Sequence, residues 1–231
     1  MSRKILALAA AIVLCPAVAS AQIVITEIMY NPDSSESTSA TQFVEIANVT
    51  NAAVDLTGWE LGDSQDDDWN ALPAITLQPK EILVVVGSSA ADFNTAFAGI
   101  VDASAIVFSI QDDGGTMFNL SNSPSATNET VAVRDDTMTL IDEVNYDDSG
   151  DWPSDSPDGV SIYLNVTEMQ LEMSGATLND DGTNWLRAMD GTAGAGTSVA
   201  AGVWNSVEVA GPGNFNGNGF VPVELQSFSI D

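Results

Sequence analysis

Apolar and polar residues alternate in short runs along most of this chain. Val54 and Leu56 flank Asp55, and Trp59 and Leu61 flank Glu60. A period of two sends successive side chains to opposite faces of a strand, one row inward and the next into water. Short runs rich in Val, Ile, Phe and Trp, several of them alternating in this way, predict strands over Ile23–Met29, Gln42–Asn48, Val54–Leu56, Trp59–Gly62, Ile82–Val86, Ile106–Ser109, Met117–Leu120, Thr130–Arg134, Leu140–Tyr146 and Val160–Leu164. Many short strands at near-regular spacing argue an antiparallel sandwich or barrel.

The residues between the runs agree. Thr57-Gly58 reads as a tight hairpin, and Pro79 fixes φ at the turn before Ile82–Val86. One short helix is expected, Ala90 to Phe97, capped by Ser88 or Ser89, with Phe93 and Phe97 sharing its buried face. From Gly191 onward small residues dominate, and Pro212 to Gly219 alternates Gly with Asn. Residues 191–231 therefore read as a linker and tail, weakly structured unless docked, in which Val203–Val209 adds an edge strand. The closing run Val221–Asp231 is apolar and alternating after Pro222. A docked strand, a partner-binding strand and the remnant of a sorting region all remain open for it.

The first residues change the picture. Arg3 and Lys4 precede an apolar run from Ile5 to Val18, and Ala19-Ser20-Ala21 supplies small residues before Gln22. That is the three-part pattern of a signal peptide over residues 1–21, with cleavage expected after Ala21 and a secreted or cell-surface destination. The run is shorter than the ~20 residues of a spanning helix and contains Pro16, so no membrane insertion of the mature form is expected. Leu14 before Cys15 is bulky where a lipoprotein signal carries a small residue. Loss of the leader removes the one cysteine and leaves Lys80, Arg134 and Arg187 as the basic residues against 33 acidic ones. Binding of phosphate needs a Lys/Arg footprint, so nucleic acid and anionic lipid are excluded as partners.

Several of these runs carry a resemblance. Glu27-Ile-Met-Tyr-Asn-Pro32, Phe43-Val-Glu-Ile-Ala-Asn48, Val54-Asp-Leu-Thr-Gly-Trp-Glu-Leu61, Leu77-Gln-Pro-Lys-Glu-Ile-Leu-Val84, Leu140-Ile-Asp-Glu-Val-Asn-Tyr146, Trp152-Pro153 and Asn184-Trp185 occur in this order. Together they resemble the lamin-tail domain of nuclear lamins and of many exported bacterial proteins, over roughly residues 22–190. The resemblance implies an all-β, immunoglobulin-like antiparallel β-sandwich and an adhesion or scaffolding module. It implies no catalytic residues. Within it Trp59 is expected to be the largest single contributor to the core, and Trp152 to cap one open end of the sandwich.

The mature chain has no histidine. That removes Ser-His-Asp and Cys-His nucleophilic sites and His-ligated zinc, and no Gly-rich phosphate loop is present. An enzyme built on this chain would have carboxylates alone, as a glycoside hydrolase does. Glu27 and Glu45, each set in an apolar strand where burial raises a carboxyl pKa, are the candidates. Calcium is the cofactor the composition allows, because hard cations take several oxygen ligands. Its candidate ligands are Asp66, Asp68, Asp112, Asp113, Asp180 and Asp181, although Asn179-Asp180-Asp181-Gly182 lacks the first and closing ligands of a calcium loop. Trp69, Trp152 and Trp204 are loop-located candidates for stacking on a sugar.

The sequence thus leads to a secreted, non-catalytic binding or structural module whose partner is a surface polysaccharide or a protein. A calcium-stabilised adhesion protein and a carboxylate-dependent glycosidase are the alternatives.

Overall fold

The computed structural model describes residues 23–32, 41–63, 68–115, 120, 130–154, 158–188, 202–204 and 208–213. The leader, residues 117–119 of the expected strand Met117–Leu120, Asp66, the stretch from 191 to 201 and the run Val221–Asp231 lie outside the described residues, as does the side chain of Trp204.

In chain order the strands are β1 (Ile23–Met29), β2 (Phe43–Asn48), β3 (Val54–Asp55), β4 (Glu60–Asp63), β5 (Asp68–Ala71), β6 (Thr76–Leu77) and β7 (Ile82–Val86). Helix α1 (Ala90–Ala96) then leads to β8 (Ile106–Ser109), β9 (Val131–Arg134), β10 (Leu140–Val144) and β11 (Ile162–Leu164). Helix α2 (Glu168–Leu178) is followed by β12 (Trp185–Arg187), β13 (Gly202–Trp204) and β14 (Glu208–Ala210). A six-stranded sheet in the order β12-β11-β1-β2-β7-β8 packs on a four-stranded sheet in the order β10-β9-β4-β5. This is an immunoglobulin-like β-sandwich. β3 pairs with β6 and β13 with β14 as two small separate ladders.

Alternation explains the interior. Ile25, Ile28, Val44, Ile46, Leu83 and Val85 of the larger sheet join Leu61, Val131, Val133 and Val144 of the smaller one in one buried cluster. Trp59 belongs to this cluster as expected, but Trp185 is more deeply buried, at 2% exposure against 8%. Its indole also needs a polar partner, and Nε1 donates to the carbonyl of Asn179 at 2.8 Å.

The larger sheet is covered on its other face too. Phe43, on the side of β2 opposite Val44, meets Phe93 and Phe97 edge-on at centroid distances of 5.6 and 6.0 Å. Helix α1 forms where it was expected, with the Ser89 hydroxyl capping the Asp92 amide. It also bridges β7 to β8, which run parallel, so the sandwich contains one parallel pair. An α-helical crossover is the usual way to bring a strand back parallel to its predecessor.

Four local expectations are corrected. The chain contains a second helix, α2, opened by a reciprocal capping box between Thr167 and Gln170. Thr57-Gly58 is a tight turn with Gly58 at φ +80°, but the strands it joins pair elsewhere, β3 with β6 and β4 with β5 and β9. Trp69 and Asp68 lie in strand β5 rather than a loop. Val203 and Val209 fall on two short strands, β13 and β14, which pair with each other antiparallel rather than forming one edge strand of the main sheet.

Candidate functional site: a buried carboxyl pair

A bulge in β1 creates the most unusual chemistry in the molecule. Ile25 pairs with Ile46, yet Glu27 pairs with Glu45, so Thr26 is an extra residue on its strand. Cross-strand partners share a face. Before the bulge Ile23 and Ile25 point into the sandwich, and after it Ile28 does, while Glu27 turns out to stand beside Glu45. With Thr26 paired one to one instead of bulged, Glu27 would lie opposite Val44.

Both carboxyls are 1% exposed. Ser161 Oγ donates to Glu27 Oε1 at 2.5 Å, and Thr26 Oγ1 donates to Glu45 Oε1 at 2.6 Å. The backbone beyond β14 then closes over the pair. Gly211 N–H donates to Glu27 Oε1 at 3.0 Å and Gly213 N–H to Glu45 Oε2 at 2.7 Å. Residues 210–213 are buried there, so this part of the tail is docked. Burial first, and then the charge of Glu45, pushes the Glu27 pKa well above its ordinary value. Burial likewise raises Glu45, against the lowering effect of the Thr26 and Gly213 hydrogen bonds.

The direction expected for Glu27 and Glu45 from their apolar strands is therefore found, and the structure brings the two together. An acid and a base that cleave a glycosidic bond must reach it, however. These two groups lie under backbone and each accepts structural hydrogen bonds.

A third buried carboxyl stitches the sandwich edge. β1 pairs with β11 from Glu27 onward, which leaves Ile25 beyond that ladder. Asp142 Oδ2 of β10 accepts the Ile25 N–H at 2.7 Å and the Asn179 Nδ2 at 2.8 Å, and Asn179 Nδ2 also reaches the Ile25 carbonyl at 3.3 Å. Burial pushes the Asp142 pKa up to about 7. Sequence reasoning assigned no role to Asp142, which is 3% exposed; an Asp inside the strand-forming run Leu140–Val144 was the available signal.

The exposed acids behave differently. Asp55, Asp102, Asp135, Asp147 and Asp181 each accept from the hydroxyl and the amide of the Ser or Thr two residues on, the D-x-S/T form of an Asx turn. These bonds hold Asp55, Asp135 and Asp181 below the ordinary carboxyl range.

The calcium candidates fall on separate elements. Asp68 opens β5, Asp112 accepts the Ala90 N–H at the start of α1, and Asp113 lies in the turn after β8. Asp181 caps the short 3-10 helix Gly182–Asn184. Asp180 lines a cleft of about 270 Å³ with Leu140, Ile141, Asp142, Glu143 and Ala176. Among the described residues no group of three or more His, Cys, Asp or Glu side chains is placed to hold a metal ion.

Of the stacking candidates, Trp69 is half-buried and the Arg134 guanidinium lies 4.0 Å from its ring centroid, held by Glu60. Trp152 is half-buried against Trp185 at 5.8 Å, in contact with Gly182, where a Cβ would come within 2.7 Å of the ring. Trp152 thus packs onto the core. Lys80, one of the three basic residues left after the leader, is buried at φ +65°, and its ammonium donates to the Val49 carbonyl at 2.7 Å and pairs with Glu172 of α2.

Among the described residues no helix is long and apolar enough to cross a membrane. Comparison with curated proteins and with solved structures returned no match. A family model, Lamin Tail Domain, matches residues 16–148, and the sheets continue past its end with β11 and β12. The ordered sequence runs, the sandwich they build and this match agree that the chain belongs to the lamin tail domain family.

Proposed function

We propose that the protein is exported and works as a non-catalytic binding or structural module at the cell surface or in the extracellular matrix. One observation carries this reading. The carboxyls whose pKa is raised most, Glu27, Glu45 and Asp142, are buried struts of the sheets, while the exposed acids shape turns. The module's outward chemistry is then a set of rigid, negatively charged turns on a sandwich, which suits a surface polysaccharide or a protein partner. Membership of a family of immunoglobulin-like modules supports it, as does the leader pattern of residues 1–21.

The test is a binding screen of the mature chain against surface polysaccharides and surface proteins, with and without millimolar calcium. Saturable binding without turnover is expected. Sugar hydrolysis that disappears in Glu27→Gln, with the fold intact, would replace this reading with the glycosidase. A melting midpoint raised by calcium and restored by chelator would assign the module to the calcium-stabilised kind, since a ligand that binds only the native state must stabilise it.

A further inference from the structure

The outer face of the six-stranded sheet holds two carboxyls side by side, and a separate piece of the same chain lies on them. We propose that Glu27 and Glu45 form a receptor site for the chain's own segment Ala210–Gly213, and that the charge on the pair decides whether this segment stays docked.

The fit is specific on both sides. Gly211 and Gly213 each donate an N–H to one carboxyl, at 3.0 and 2.7 Å. Pro212 between them has no N–H to satisfy, and its carbonyl accepts the Asp102 N–H at 3.2 Å. Gly213 sits at φ +85°, and a Cβ there would come within 2.6 Å of the Ala105 Cβ. Only glycine takes that conformation and that space without strain. On the receptor side the Thr26 bulge aligns Glu27 with Glu45, and Ser161 and Thr26 hydroxyls fix their remaining orientation.

Charge enters because the docked segment excludes water from two like groups. Among the described residues, the ionisable side chains that the ladders place at the site are Glu27, Glu45 and, across from Glu27, Tyr163. From β7, Val84 stands opposite Glu45, and Ala210–Gly213 brings no ionisable group. The Asp102 carboxylate, on the loop that grips Pro212, is engaged by Ser104. When the pair loses its last proton, two negative charges occupy one dry site, and lifting the segment is the way to hydrate them. The docked state binds more protons than the open one, so linkage makes docking weaken as pH rises.

The experiment is amide-proton NMR and hydrogen exchange on the mature chain from pH 5 to pH 9, with the Leu83 amide of β7 as the core reference. Gly211 and Gly213 are expected to be protected at pH 5 and to lose about tenfold of that protection relative to Leu83 per pH unit through the pair's titration. G213A should lose protection at Gly211 at every pH while Leu83 keeps its own. E27Q/E45Q should stay docked with no pH response; if it does not fold, the single variant E45Q must move the midpoint. Protection of the two glycines that is unchanged or higher at pH 9, Gly211 protection that survives in G213A, or a pH response that survives in the Gln variants would each overturn the proposal.

Discussion

Two populations of carboxyl group occupy this protein, and the fold treats them in opposite ways. Glu27, Glu45 and Asp142 lie within strands, with pKa values raised by burial. Asp55, Asp135 and Asp181 lie in exposed turns, with values lowered by the hydrogen bonds they accept. The same functional group is a strut that holds its proton more tightly in one place and a turn-former that ionises more readily in the other. What differs is whether water or backbone surrounds it.

The comparison is broken most severely by removing a strut. Asp142→Ala leaves the Ile25 N–H and the Asn179 amide without their acceptor, and buried orphaned donors cost about 1–3 kcal/mol each. A loss of about 3 kcal/mol in urea unfolding at pH 6 is expected, with a smaller loss for Asp142→Asn; equal stability to wild type would remove the strut role.

Next in size is the pH dependence of stability. A raised native pKa means that stabilisation is complete below the unfolded-state value and is lost as pH climbs through the folded value. For Glu27 and Glu45 the ordinary value is 4.5 and the folded values are about 8 and about 7. The lowered turn aspartates run the other way, contributing above their ordinary value of 3.8 and losing that contribution as pH falls through their folded pKa. The urea midpoint should therefore be highest near pH 4 to 5 and decline toward pH 8, the reverse of the usual carboxylate pattern. A midpoint that climbs from pH 5 to pH 8 contradicts the buried assignment.

Glu27→Gln sharpens the point with a smaller effect that changes sign. At pH 5 it should be neutral or slightly destabilising. At pH 8.5 the variant escapes the burial of charge and should exceed wild type; one sign throughout would show that ionisation at this site does not matter. The least effect is expected from replacing Asp55, Asp135 and Asp181 together by Asn. The urea midpoint of this variant should fall only slightly at pH 7, and a large drop would mean that the turns hold more than themselves.

The sequence disclosed the sheets more readily than their arrangement. Short runs rich in Ile and Val, such as Ile23–Met29 and Ile82–Val86, marked strands correctly, and Ser89 with Phe93 and Phe97 marked α1. Helix α2 escaped because it lacks an apolar stripe: Leu171 and Gly175 are its buried residues, Met169 and Met173 are exposed, and Ser174 breaks its geometry at φ −155°. The Thr167–Gln170 capping box was the one cue. β5 resembled an acidic loop because Asp68 and Ala71 face solvent. Burial of Glu27 and Glu45 could be read from their apolar neighbours, but their meeting could not, because a bulge is invisible until the partner strand is known. Gly211-Pro212-Gly213 carries the composition of a linker, and only its hydrogen bonds reveal a docked segment.

Thr26 shows how a strand can carry one residue more than its partner without turning itself over. Between Ile25 and Ile28, β1 has two residues where β2 has one, and the bulge takes up the surplus on the spot, so that Ile28 still faces inward and Glu27 still stands beside Glu45. Paired one to one instead, the same residues would set Glu27 opposite Val44 and expel Ile28. The strand keeps its two faces by an irregularity, not by regular alternation.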